Sequence, residues 1–182
     1  MMQSIVDETN PIRFGILTVS DRSFNKQRED LSGPALVDAV LKRMHQVVTT
    51  GIVPDDRSII AELLQRWIKN ADLDVILTTG GTGFAPRDVT PEATLDVIEK
   101  QVPGLAELMR AESYKINRHA MLSRTVAGIK DHALIINLPG SPKAAVENFE
   151  FITDLLPHAV ELLRNSPSSE GGHILPPQSV LT

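Results

Sequence analysis

Between residues 74 and 92 the chain reads Asp-Val-Ile-Leu-Thr-Thr-Gly-Gly-Thr-Gly-Phe-Ala-Pro-Arg-Asp-Val-Thr-Pro-Glu, residue types suited to handling a phosphate. Gly80, Gly81 and Gly83, with Thr82 between them, remove the side chains that would keep an anion away from backbone N–H groups. Arg87 and Asp88 follow closely, and Thr90-Pro91-Glu92 opens a helix with a hydroxyl N-cap, a proline and a first-turn carboxylate. Asp88 beside such a loop suits a metal-facing role, because Mg2+ is held by one or two carboxylates together with phosphate oxygens. The bland alternative is a tight turn carrying a solvated carboxylate. The loop alone lacks the third glycine of the dinucleotide fingerprint and the Lys-Ser/Thr ending of a P-loop. With Arg87 and Asp88 behind it, phosphate binding is the better reading.

Three other places put polar groups where apolar runs end. Ser20-Asp21 falls on the same sheet edge as the glycine loop, where turn chemistry and ligand contact are evenly matched. Pro139, Gly140, Ser141 and Pro142 start a helix with Ser141 as N-cap, a second N-terminus able to face an anion or a plain turn. In Val53-Pro54-Asp55-Asp56 either aspartate can cap the following helix, and pattern alone puts capping ahead of catalysis.

Absences narrow the chemistry. The histidines at 45, 119, 132, 158 and 173 are scattered, with no His-Glu-x-x-His, and no Gly-x-Ser-x-Gly elbow occurs. There is no cysteine, which removes disulfides, thiolate nucleophiles and cysteine-ligated zinc. Backbone amides, Mg2+-capable aspartates, hydroxyls and Arg87 remain. That kit suits phosphoryl or nucleotidyl transfer, where positioning and charge neutralisation supply most of the catalysis.

The elements that must position these groups alternate. Strands are predicted at residues 12–20, 47–53, 74–79 and 132–138, the last two as buried apolar runs. Helices are predicted at 33–44, 56–69, 91–100 and 103–116, with a last helical stretch interrupted at Pro157. Ile59, Ile60, Leu63, Leu64, Trp67 and Ile68 give the clearest helical stripe. This βαβα alternation predicts an α/β fold, a mostly parallel sheet with helices on both faces. A single domain over residues 12–164 is expected, between an N-terminal extension (1–11) and a loosely held tail rich in Ser, Pro and Gly (165–182).

Composition bounds the partners. The 182 residues are 42% apolar and 23% charged, as in a folded domain, and only 4% aromatic, so the core rests on aliphatic side chains. A net charge of −5 disfavours a nucleic-acid groove but not one small anionic ligand. No apolar run approaches the ~20 residues of a membrane span, and the first residues do not read as an export signal, so a cytoplasmic protein is expected.

Gly80 to Thr94 closely resembles the signature of the molybdopterin adenylyltransferases, the MogA/MoaB family with the G domains of gephyrin and the plant Cnx proteins. Leu17 to Arg22, Asp30 to Pro34, Val53-Pro54-Asp55, Pro103-Gly104, Met121 to Arg124 and Ile136 to Pro142 match the same pattern in order, so the resemblance covers about residues 12–163. It implies a three-layer α/β/α sandwich, usually a homotrimer. The implied reaction is Mg2+-dependent transfer of AMP from ATP to the terminal phosphate of molybdopterin, with a separate molybdenum-inserting protein downstream. By motif position, Asp55 and Asp88 resemble the pair of essential aspartates, which displaces the reading of Asp55 as a cap. Gly80, Gly81, Thr82, Gly83, Ser123, Pro139, Gly140 and Ser141 resemble the nucleotide-binding elements, and Ser20, Asp21 and Ser32 the pterin contacts. Two alternatives stand beside this: a silent molybdopterin carrier or scaffold of the same family, and a CinA-type nucleotide pyrophosphatase. In the latter an acidic pair follows the glycine loop, where this chain has Arg87 and one aspartate.

Overall fold

A computed structural model describes residues 11–164. The expected N-terminal extension, Pro11 apart, and the expected tail lie outside the described residues. Six strands form one sheet: β1 (Arg13–Val19), β2 (Gln46–Val53), β3 (Val75–Thr79), β4 (Lys100–Gln101), β5 (Ala127–Lys130) and β6 (Ala133–Leu138). Their order is β2-β1-β3-β6-β5-β4. The pairs among β2, β1, β3 and β6 are parallel, while β5 and β4 are added antiparallel. The helices are α1 (Asp21–Phe24), α2 (Ser32–Lys42), α3 (Arg57–Asn70), α4 (Thr90–Leu95), α5 (Pro103–Ile116), α6 (Pro142–Ile152) and α7 (Leu156–Leu163).

The period-two alternation of strand side chains divides the core into two layers. Phe14 and Ile16 of β1, Val75 and Leu77 of β3, and Leu134 and Ile136 of β6 face a cluster with Leu36, Val40, Met109 and Phe149 from α2, α5 and α6. The intervening Leu17, Ile76 and Ile135 face the other way, onto Ile60, Leu64 and Trp67 of α3 and Ala93 of α4. A β-carbon at Gly15 or Gly51 would lie 3.0 or 3.1 Å from the Trp67 ring, so the two glycines let the large indole lie on the sheet. The result is the expected three-layer sandwich, both sheet faces covered as a parallel sheet requires.

Register is what positions the chemistry. Thr18 of β1 aligns with Thr79 of β3, Thr79 with Leu138 of β6, and Val19 with Val53 of β2. Four parallel strands therefore end along one edge, and the residues that leave them (Ser20, Pro54-Asp55, Gly80 and Pro139) emerge side by side. The ladder continues one step beyond the strands, Ser20 N–H donating to Val53 O at 2.9 Å and Gly80 N–H to Leu138 O at 3.2 Å.

Two expectations are corrected. The helix expected over 91–100 stops at Leu95, because the backbone beyond it is taken by β5: Glu99 N–H donates to Ile129 O (2.8 Å) and Val102 N–H to Ala127 O (2.8 Å). The break in the last helical stretch falls in a 3-10 turn at Thr153–Leu155, not at Pro157, which sits in the first turn of α7 where its missing N–H is harmless. No helix among the described residues is long and apolar enough to cross a membrane.

Candidate active site

Backbone geometry makes the glycine loop irreplaceable. Gly80 and Gly81 have φ of +103° and +63°, the region that favours glycine. A β-carbon on Gly80 would fall 2.2 Å from the Val19 carbonyl oxygen, and one on Gly81 would fall 2.4 Å from Thr90 Oγ1 and 3.1 Å from Asp55 Oδ1. Thr90, expected as a helix N-cap, instead ties the loop. Its hydroxyl donates to Gly80 O (2.9 Å) and its N–H to Gly81 O (3.1 Å), while Val89 holds the cap position of α4 without a side-chain bond.

The adjacent aspartates at the end of β2 divide their work. Asp56 caps α3, accepting from Ser58 N–H (3.0 Å) and Ile59 N–H (3.1 Å). Asp55 is thereby free of the helix. Its carboxylate accepts from Asp21 N–H at 2.7 Å, and its own N–H donates to Asp21 Oδ1 at 3.0 Å. Asp21 also takes both arms of Arg87, Nη2 at 2.8 Å and Nε at 3.0 Å, so this guanidinium is paired with a carboxylate beside the loop. Hydrogen bonding from Arg87 holds the Asp21 carboxyl below the usual range. Burial pushes the Asp55 carboxyl up, and the negative charges of Asp21 and Asp88 add to that against the Asp21 N–H bond. Asp88 closes its own turn, accepting from Ala85 N–H at 2.9 Å.

Two cavities meet at the loop. One, of about 580 Å3, is lined by Ser20, Asp21, Arg22, Arg28, Ser32, Asp55, Gly80, Gly81, Asp88 and Gly140. The other, of about 460 Å3, is lined by Thr82, Gly83, Asn117, Ser123, Thr125, Pro139 and Lys143 among others. Ser141 lines both. It occupies the expected N-cap position of α6, yet its hydroxyl makes no cap bond. The expected aspartates, glycine-loop residues, serines, Thr82 and Pro139 thus border one of two adjoining spaces, and Asp55 and Asp88 share the same one. Arg87, expected beside the phosphate, lines neither and is instead paired with Asp21.

Local bonds hold the remaining groups. Ser20 caps α1, accepting from Ser23 N–H at 3.2 Å, with Arg28 Nη2 at 3.5 Å from its hydroxyl. Ser32 donates to Asp30 (3.1 Å), which also takes the Thr18 hydroxyl (2.7 Å). Ser123 Oγ lies 2.6 Å from Thr125 Oγ1, and Thr79 Oγ1 donates to Pro139 O at 2.7 Å. Behind the loop, buried Asn137 donates to Thr78 Oγ1 (2.9 Å) and Thr94 Oγ1 (2.8 Å), fixing β6, β3 and α4 together. Sequence reasoning missed Arg28, which lies in an aperiodic polar stretch, and Asn117 and Lys143, which carry no motif signal.

The donor set suits magnesium. Among the described residues no group of three or more His, Asp or Glu could hold a metal by itself. A hard cation here would rest on two carboxylates and take its other oxygens from a phosphate ligand, the usual habit of Mg2+. The like charges converging on Asp55 are what such a cation would relieve.

Comparison with known proteins finds relatives along most of the chain. Residues 15–158 match the family described as "Probable molybdopterin binding domain". The chain is 48% identical over 158 residues to the molybdenum cofactor synthesis protein cinnamon of Drosophila melanogaster, covering 86% of this chain but 26% of that protein. It is 42% identical to the molybdopterin adenylyltransferase of Helicobacter pylori strain J99, covering 84% of this chain and 88% of that one. The crystal structure of the molybdopterin biosynthesis enzyme MoaB from Thermus thermophilus superposes with a TM-score of 0.81 at 46% identity, covering 86% of this chain and 98% of that chain.

Proposed function

The chain belongs to the probable molybdopterin-binding domain family, and from that premise we propose that it transfers AMP from ATP to the terminal phosphate of molybdopterin. Its place is molybdenum cofactor biosynthesis, and its class is nucleotidyltransferase. The observation that carries the reading is the meeting of two cavities at one glycine loop, with Asp55 and Asp88 on one side of it. A bisubstrate transfer between two anions needs that layout.

A terminal phosphate is already anionic at neutral pH, so the attacking oxygen needs no general base. The barrier lies in bringing one polyanion onto another. In this reading Thr82, Gly83, Ser123, Pro139 and Ser141 seat the nucleotide, and N–H groups of Gly80 to Gly83, with Gly140, hold its α-phosphate. Ser20, Asp21 and Ser32 orient the pterin, and Arg22 and Arg28 draw its phosphate into the larger cavity. The phosphate oxygen bonds to the α-phosphorus as the bond to the β-phosphate oxygen breaks, the electron pair leaving with pyrophosphate. Asp55 and Asp88 would hold magnesium, which when bound neutralises that departing charge.

The test is incubation with Mg-ATP and molybdopterin, following pyrophosphate and the mass of the pterin product. Pterin-dependent pyrophosphate release with gain of AMP is expected. Binding of molybdopterin without turnover would make the chain a carrier, and hydrolysis of ADP-ribose without pterin would make it a CinA-type pyrophosphatase. The same reading implies a homotrimer, checked by sedimentation, and a molybdenum-inserting domain or protein that receives the product.

A further inference from the structure

Arg124 borders neither cavity, yet it reaches the backbone of both halves of the site. Its Nε donates to Gly83 O at 2.8 Å and its Nη2 to Asp88 O at 2.6 Å, while Nη1 pairs with Glu92. Its own N–H donates to Thr82 O at 2.9 Å. Residues 84–87, between those anchor points, are exposed, and Phe84 is 69% exposed. The turn's own bonds, Asp88 N–H to Ala85 O and Ala85 N–H to the Asp88 carboxylate, are internal. Arg87 ties the turn outward to Asp21 by its side chain, whereas Arg124 links the backbone at its two ends, Gly83 and Asp88, to each other.

We infer that Arg124 is a positioning residue for adenylyl transfer: its two bonds to Gly83 O and Asp88 O fix the distance from the glycine loop to the Asp88 carboxylate. The inference rests on the reading above, which makes Asp88 a ligand of the catalytic cation. A guanidinium suits the task because its planar fork presents several N–H donors at fixed spacing, whereas an ammonium is a point charge that cannot span two carbonyls and a carboxylate in one plane. The neighbouring Ser123 extends the consequence. Ser123 supplies a hydroxyl to the second cavity, so Arg124 ties that cavity to the carboxylate side by one covalent step.

Removing the side chain outright would strand Glu92, whose Oε2 is buried with no hydrogen-bond partner. The informative variants are therefore Arg124→Lys, which keeps the charge but loses the fork, and Glu92→Gln, which removes the ion pair but leaves both carbonyl bonds. The readouts are amide hydrogen exchange and Mn2+ binding in the presence of ATP, neither of which needs turnover. In Arg124→Lys, exchange over residues 83–88 is expected to quicken about tenfold, the effect of one lost charge-assisted bond, with a comparable weakening of Mn2+ binding and unchanged exchange in the sheet. Glu92→Gln is expected to match wild type in both. Wild-type behaviour of Arg124→Lys, equal loosening in both variants, or faster exchange throughout the sheet would each overturn the inference. A wild-type protein that binds Mn2+ and ATP but transfers no AMP would instead end the proposed reaction and leave these two readouts standing.

Discussion

Asp55 and Asp56 are chemically identical neighbours with opposite assignments, and the difference is in what each accepts from. Asp56 takes two N–H groups of the first turn of α3, so Asp56→Ala is expected to lower the denaturant midpoint measurably and to leave transfer nearly unchanged. Asp55 is held by Asp21 N–H and crowded by like charge. Asp55→Asn keeps an acceptor for that N–H and sheds the repulsion, so its melting temperature should equal or exceed that of wild type. Its transfer rate, and that of Asp88→Asn, should fall at least about a hundredfold, the scale on which electrostatic stabilisation of a transition state is lost. An active protein carrying both substitutions would end the metal assignment. From pattern alone the two aspartates were indistinguishable, since each satisfies the preference for a cap; only the family motif separated them. Arg124 falls within the Met121–Arg124 motif, but its role is illegible in sequence for a different reason, its partners lying 36 and 41 positions away.

At the scale of elements, strands of five to eight residues were readable, β3 and β6 as buried apolar runs, and so was the edge on which they end. The antiparallel pair β4 and β5, two and four residues long, was not. Such segments are too short to carry a period, and they exist because β6 offers an open edge to β5 and β5 offers one to β4. The same tertiary pull shortened α4. Thr90 shows local preference yielding to the loop: a residue suited to capping spends its hydroxyl on Gly80 O. Because Gly81 is at φ +63° with Thr90 Oγ1 against its open face, Gly81→Ala is expected to destabilise the protein by about 2 kcal/mol, through strain and displacement of that hydroxyl. Differential scanning calorimetry checks the first effect. A matching loss of transfer follows, since the loop amides would be re-aimed.

For the whole molecule, the opposite edge of the sheet is closed by one buried carboxylate. Asp74, 1% exposed, accepts from Arg13 N–H (2.8 Å) and the Arg13 guanidinium, and from Arg164 at the end of α7 (2.8 Å from Nε), joining the first and last described elements. Burial alone would raise its pKa, but the hydrogen bonds from Arg13 and Arg164 prevail and bring it to about 2. A carboxyl depressed on folding stabilises above its unfolded value near ~4 and loses that contribution as pH falls through the folded value; here the contribution is about 2 kcal/mol. Denaturant melts should therefore show Asp74→Asn destabilised at neutral pH, the gap from wild type narrowing below pH ~4 and closing near pH ~2. A gap that persisted at pH ~2 would assign the loss to packing. This lock is distant from the glycine loop, so transfer by the folded variant should be unaffected.

The central claim is that two substrate spaces meet where carboxylates from separate crossovers face one glycine loop. A crystal structure with Mg2+ and a non-hydrolysable ATP analogue tests it most directly. The expected density places phosphates against the N–H groups of Gly80 to Gly83, the nucleoside beside Ser123 and Ser141, and a cation touching both Asp55 and Asp88. A nucleotide bound elsewhere, or a cation that touches neither aspartate, would contradict it.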